Sequence, residues 1–160
     1  IGILADSSLI ARRIGRTETW AVASPDYLAR RGQPLHPDDL RAHDNIRDSN
    51  ASVPHRTTFV IEGRPIGVPL PGGITVNNAQ AVRRLALAGE GIGLIPRFII
   101  AEDVAQGRLT RLLTGFPGPQ LDIQALYLPQ PFVPPRVGAY LDHLRARLSP
   151  LLQTAPPRDS

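Results

Sequence analysis

The chain has 160 residues, 42% of them hydrophobic and 20% charged, which describes a globular domain rather than a disordered polyelectrolyte. There is no cysteine, which excludes disulfides, thiol catalysis and cysteine-ligated metal. No apolar run approaches the roughly 18 residues of a membrane-spanning helix, so a membrane-free, cytoplasmic protein is expected. The net charge of +4 comes with 18 basic residues, all arginine. They are scattered, with short clusters at Arg12, Arg13 and Arg16, at Arg30 and Arg31, and at Arg83 and Arg84. Without aromatic interleaving they read as solvated side chains, not as a nucleic-acid surface. The isolated chain is therefore expected to bind DNA only weakly and in a salt-labile way.

The chain opens on Ile1, which reads as a fragment or a processed product. Ile1–Leu4 resembles the end of a buried strand, and "ADSSLIARRIGR" follows as a polar loop and a short extended piece. Thr19–Ser24 reads as a strand. "SPDYLARRG" carries helix punctuation at both ends, with Ser24 as N-cap, Pro25 at the first helical position and Gly32 beyond the last turn. "HPDDLRAH" repeats the pattern, with Pro37 early and Asp38 and Asp39 in the first turn.

Phe59 and Ile61, then Ile66, Val68 and Leu70, alternate on either side of Gly63–Pro65 and predict a hairpin. "GGITV" is a further short strand. In "NNAQAVRRLALAG", Asn77 or Asn78 is the N-cap. Ala81, Val82, Leu85 and Ala88 form an apolar stripe with Arg83 and Arg84 outside it, and Gly89 is the stop. "GIGLIP" reads as a buried strand, "RFIIAEDVAQG" as a helix, "RLTRLL" and "LDIQALYLP" as strands. "PPRVGAYLDHLRARL" is the last helix, its stripe Val137, Leu141, Leu144 and Leu148. Strands alternating with helices predict an α/β fold with largely parallel sheets.

The glycines of "AGEGIGLIP" do not form a dinucleotide loop. That loop runs strand, glycines, helix, so that phosphate meets the helix N-terminus. Here the order is helix, glycines, strand.

Little in the sequence supports catalysis or metal binding. His36, His43, His55 and His143 have no neighbouring carboxylate or histidine at ligand spacing, apart from Asp142 beside His143 on a solvent-facing turn. Ser24 precedes proline at a helix start and is a cap, not a nucleophile. Asp38–Asp39 and Glu102–Asp103 read as solvated helix-turn carboxylates. No catalytic residue, no metal ligand and no cofactor are expected. A binding site has better material. The helix after "TVNN" starts where a strand ends, so its free amides point off the strand's carboxyl edge, where open α/β sheets bind ligands and where an anion is favoured. Asn77 and Asn78 add side-chain donors, and Ser7 and Ser8 beside Asp6 supply a second polar loop.

Taken in order, these segments resemble the effector-binding domain of LysR-type transcriptional regulators. The resemblance is carried by Asp6–Gly15, Val22–Gly32, Pro37–His43, "VNNAQAVRRLALAGEGIGLIP", "GRLTRLL" and "PPRVGAYLDHLRARL", and it covers nearly the whole chain. It departs at Asn45 and Thr58, near positions where relatives often carry cysteine and tryptophan.

The resemblance implies a two-lobed, periplasmic-binding-protein-like fold behind an N-terminal winged helix-turn-helix. Residues 1–18 would be a remnant of the first lobe, and 19–127 the hinge strands and a nearly complete second lobe. The hinges would lie near Thr19–Ala23 and Asp122–Tyr127. Residues 128–150 would return to a partial first lobe, and 151–160 would be a disordered tail. With most of the first lobe's sheet expected before Ile1, the stripe of the last helix would lie bare. Ile95 and Pro96 would close the floor of the cleft. The ligand-binding set is then Ser7, Ser8, Asn77, Asn78, Ile95 and Pro96. The partners implied are a small-molecule effector, an organic anion, and DNA only through the missing N-terminal domain, in a full-length homo-oligomer. A solute-binding protein for uptake of a small organic acid shares this fold and is the alternative.

Overall fold

The computed structural model of the chain describes residues 10–127 and 135–152. Ser7 and Ser8, the strand expected at Ile1–Leu4 and the tail from residue 153 onward lie outside the described residues. Glu18–Pro119 forms one compact unit, and the described residues on either side form a second.

The first strand, β1 (Ile10–Ala23), is one continuous element where the sequence suggests a loop and two short pieces. Val22 and Ala23 are fully buried on opposite faces. Helix α1 (Pro25–Arg31) follows as its punctuation predicts. Ser24 Oγ accepts the Tyr27 amide at 3.2 Å, and Gly32 leaves the helix at φ 79°. The second expected helix is a 3-10 turn, Pro37–Ala42. Its N-cap is His36, whose ring accepts the Asp38 amide while the Asp39 carboxylate accepts the amides of Leu35 and His36. Those two backbone donors hold the Asp39 carboxyl below its ordinary range.

Strand β2 (Asn45–Asp48) leads to the hairpin β3 (Arg56–Ile61) and β4 (Arg64–Pro69). Its turn is Glu62–Gly63, one residue earlier than the sequence suggests, because both residues take positive φ, 51° and 74°, as a two-residue hairpin turn demands. Then come β5 (Thr75–Val76), α2 (Ala79–Leu87), β6 (Ile92–Pro96), α3 (Arg97–Ala105) and β7 (Thr110–Leu112). Strand β8 (Gln120–Tyr127) pairs with β1, and α4 spans Pro135–Leu152.

The main sheet is ordered β5-β2-β6-β1-β7. It is mixed, not largely parallel. β5, β2 and β6 are mutually parallel, but β1 runs against both β6 and β7. Alternation along β1 and β6 splits the core in two. Ala21, Ala23 and Ile92 face Tyr27, Leu40, Phe59 and Val68, under α1, the 3-10 turn and the hairpin. Val22 and Ile95 face Val82, Ala86 and Ile100, under α2 and α3.

Helix α2 presents Val82 and Ala86 to that core, flanked by Ala79 and Leu85, while Ala88 is exposed. Its stripe is thus turned from the one the sequence suggests, and Arg83 is not outside it. Arg83 reaches across to α3 and binds Asp103, which Arg108 also binds. Asp103 is 0% exposed, which corrects its reading as a solvated carboxylate. The Arg83 bond is the main reason its carboxyl is held below the ordinary value. Nor is Arg30 merely solvated: it donates to the carbonyl of Gly89 at 2.7 Å, just past the end of α2, where the helix dipole favours a cation.

The glycines of "AGEGIGLIP" are packing joints. Gly89 leaves α2 at φ 79°. Gly91 sits at φ 153° directly over the Asp44 carbonyl, leaving no room for a Cβ. Gly93 lies under Val82, whose Cγ1 would be 2.8 Å from an added Cβ.

In the second unit, Arg12 pairs with Asp142 at 2.8 Å and Arg16 with Asp122 at 3.0 Å. The stripe of α4 is not bare as expected. Leu141 is buried, Leu144 and Leu148 are half-buried, and the side chain of Val137 lies outside those described. The helix continues through Leu152, which is 4% exposed and lies on Gly15 of β1. Full burial of one such leucine is worth about 1.5–3 kcal/mol.

Candidate functional site

The parallel strands β5, β2 and β6 end at one edge of the sheet. Register places Asp48 beside Val76 and Ile46 beside Gly93, so Ser49–Asn50, Asn77–Asn78 and Arg97 follow three adjacent strands. The Ser49 amide extends the ladder to the Val76 carbonyl at 2.8 Å. Asn50 Nδ2 then donates to the Asn77 carbonyl, and Asn78 Nδ2 to Asn77 Oδ1 at 3.2 Å. Ser49, Asn50, Asn77 and Asn78 are all exposed.

Two helices start on this edge. Asn78 is the N-cap of α2, its Oδ1 accepting the Ala81 amide at 2.8 Å. The amides of Ala79 and Gln80 point off the helix end, out of reach of any helical carbonyl. Helix α3 starts on Pro96 with no side-chain cap, and neither helix has an acidic residue in its first turn. The edge therefore presents donors and partial positive charge.

Beside it, Trp20 lies opposite Ile95 in the β1–β6 ladder. The Arg111 guanidinium sits 4.1 Å from the indole centroid and that of Arg97 at 5.7 Å, within cation–π range. The indole N–H donates to Glu18 Oε1 at 2.6 Å, and Glu18 lies 3.7 Å from Arg111.

Among the sequence-derived candidates, Asn77 and Asn78 stand together on this edge, and Pro96 ends the neighbouring strand. Ile95 is 0% exposed and belongs to the core under α2 and α3, so any part it takes in a site is through its backbone. Ser49, Asn50, Trp20, Arg97 and Arg111 were not singled out from the sequence. Only Trp20 and Glu18 carried a local sign, since they stand two apart with Val22 on one face of a strand.

Among the described residues no group of three or more His, Asp or Glu is placed to hold a metal, and no helix is long and apolar enough to cross a membrane. His36 stands 3.6 Å from Asp38 and His43 directly precedes Asp44, which corrects the reading of these histidines as lacking a neighbouring carboxylate.

Residues 1–149 match the family described as "LysR substrate binding domain". The chain is 38% identical over 148 residues to the HTH-type transcriptional regulator PtxR of Pseudomonas aeruginosa, covering 92% of this chain and 47% of that protein. It is similar in structure to the regulatory domain of CrgA, a LysR-type regulator from Neisseria meningitidis, with TM-score 0.76, 28% identity and coverage of 92% of this chain and 72% of that one. The full-length Vibrio cholerae virulence activator AphB gives TM-score 0.74 at 27% identity, over 89% of this chain and 49% of that one. The chain spans about half the length of the curated relatives it matches.

Proposed function

The chain belongs to the LysR substrate-binding-domain family, and from that premise we propose that it senses a small organic anion at the carboxyl edge of β5, β2 and β6. The observation that carries this reading is the convergence of two helix starts, free of acidic residues, on three adjacent strand ends. Asn77 and the amides of Ala79 and Gln80 supply donors, and Pro96 shapes the floor. In this reading Thr19–Ala23 of β1 and Asp122–Tyr127 of β8 serve as the hinge segments. The anion is read out to DNA by an N-terminal helix-turn-helix in the full-length, oligomeric, cytoplasmic regulator. Kinship with regulators disfavours the alternative of a carrier for solute uptake, and it agrees with a chain that is not an enzyme.

Calorimetry of the full-length protein against a panel of small carboxylates, with their neutral amides as controls, tests the reading. The carboxylates should bind and the amides should not. Asn78→Asp keeps a good helix cap but adds a negative charge, and should weaken carboxylate binding about tenfold or more. A neutral best ligand, or unchanged affinity in Asn78→Asp, overturns it.

A further inference from the structure

The opposite, amino edge of the same strands holds a buried polar joint that the effector site does not use. Tyr27, on α1, is 1% exposed. Its hydroxyl oxygen accepts the Asp44 amide at 3.0 Å and lies 3.1 Å from His43 Nδ1. In the tautomer that carries its hydrogen on Nε2, Nδ1 accepts the phenol proton, a role open to it only while the imidazole is neutral. His43 ends the 3-10 turn, and Asp44 leads into β2. The next residue, Asn45, is 2% exposed and donates from Nδ2 to the carbonyls of Leu40 and His43, at 2.8 and 2.9 Å, and to that of Pro71 at 3.4 Å.

We propose that Tyr27, His43 and Asp44 form an acid-released latch, in which proton uptake at His43 frees the start of β2 from α1. A protonated Nδ1 carries a hydrogen towards the Tyr27 oxygen. The phenol proton then loses Nδ1 as its acceptor, and leaving a buried donor without a partner is unfavourable. Protons can reach the ring, because His43 lines an open pocket of about 240 Å³ beside Arg31, Arg41 and Gly72.

The charges facing His43 are Arg31 from α1, Asp39 and Arg41 from the 3-10 turn, and Asp44 from the following link; the Pro71–Gly73 loop carries none. Burial first, then Arg31, hold the imidazole below its ordinary value of 6.5, against the opposite pull of Asp39 and Asp44. The sign follows: the latch is closed above 6.5 and opens as pH falls towards the folded-state value.

A pH titration of the 160-residue chain by NMR, following the His43 ring and the Asp44 amide, is the test. His43 should titrate below 6.5. Across that window the protection of the Asp44 amide should fall by up to about tenfold per pH unit, as one proton is taken up on opening. Tyr27→Phe should move His43 back up towards its ordinary value. His43→Asn, which can accept but not titrate here, should leave Asp44 protection flat. A His43 titrating at or above 6.5 in the unaltered chain, or Asp44 protection that ignores the His43 transition, overturns the latch whether or not either variant folds.

Discussion

The two ends of the parallel strands β5, β2 and β6 are built on opposite principles. At the amino end, buried Asn45 gathers three carbonyls, and Gly73 and Gly91 bring backbone directly onto the carbonyls of Asn45 and Asp44. At the carboxyl end, Asn50, Asn77 and Asn78 are exposed and bond largely to one another, and α3 begins uncapped. The lesson is a division of labour within single strands of a few residues. One end is close-packed and fixes the register; the other keeps its donors in reach of solvent.

The sharpest way to break this comparison is at Gly91. Gly91→Val combines a disfavoured backbone conformation with overlap on the Asp44 carbonyl, and should cost roughly 3–4 kcal/mol in urea unfolding. A cost below 1 kcal/mol would show that the amino end is not close-packed.

Next in size is Asp103, which ties α2, α3 and the approach to β7. Asp103→Asn weakens charge-assisted bonds from two guanidiniums, but Arg83 and Arg108 stay 28% and 48% exposed and regain water. About 2 kcal/mol is expected at neutral pH. Because the Asp103 carboxyl is held below 3.8, its stabilisation is complete above that value and is lost as pH falls through the folded-state value. The variant should lack that part of the acid unfolding limb, which urea midpoints measured down the pH scale would reveal.

The smallest effect is expected at the carboxyl end. Asn78→Ala removes the α2 cap and should cost about 1 kcal/mol, and exposed Asn77→Ala only a few tenths, both by urea unfolding. Larger losses would mean that this edge is structural rather than available.

What was legible in the sequence follows the same division. Ser24, Gly32, Asn78 and Gly89 act on their own or adjacent turns, and spacing alone reveals them. The mixed sheet, the Arg83–Asp103 bond and the stacking of Arg111 on Trp20 join residues 20 to 91 positions apart, and no local pattern encodes such partners. Asn45 stood out in the sequence only as a departure from its relatives, because the three carbonyls that need it come together only in the fold. Of the candidate site, the helix-capping asparagines were readable and the surrounding arginines were not.

The hairpin has a bearing on how the chain behaves in crowded solution. The Leu70 amide bonds inward to His55, so by alternation Ile66 and Val68 also turn their backbone groups towards β3. Positions 65, 67 and 69 face the outer margin, and two of them are proline. Gly67 is then the sole amide donor of that margin between Pro65 and Pro69, and its carbonyl already accepts from Arg56 at 3.3 Å. A stray strand from another molecule meets almost nothing to zip onto there. The hairpin can thus expose Val60 and Ile66 without seeding intermolecular β-aggregation along β4.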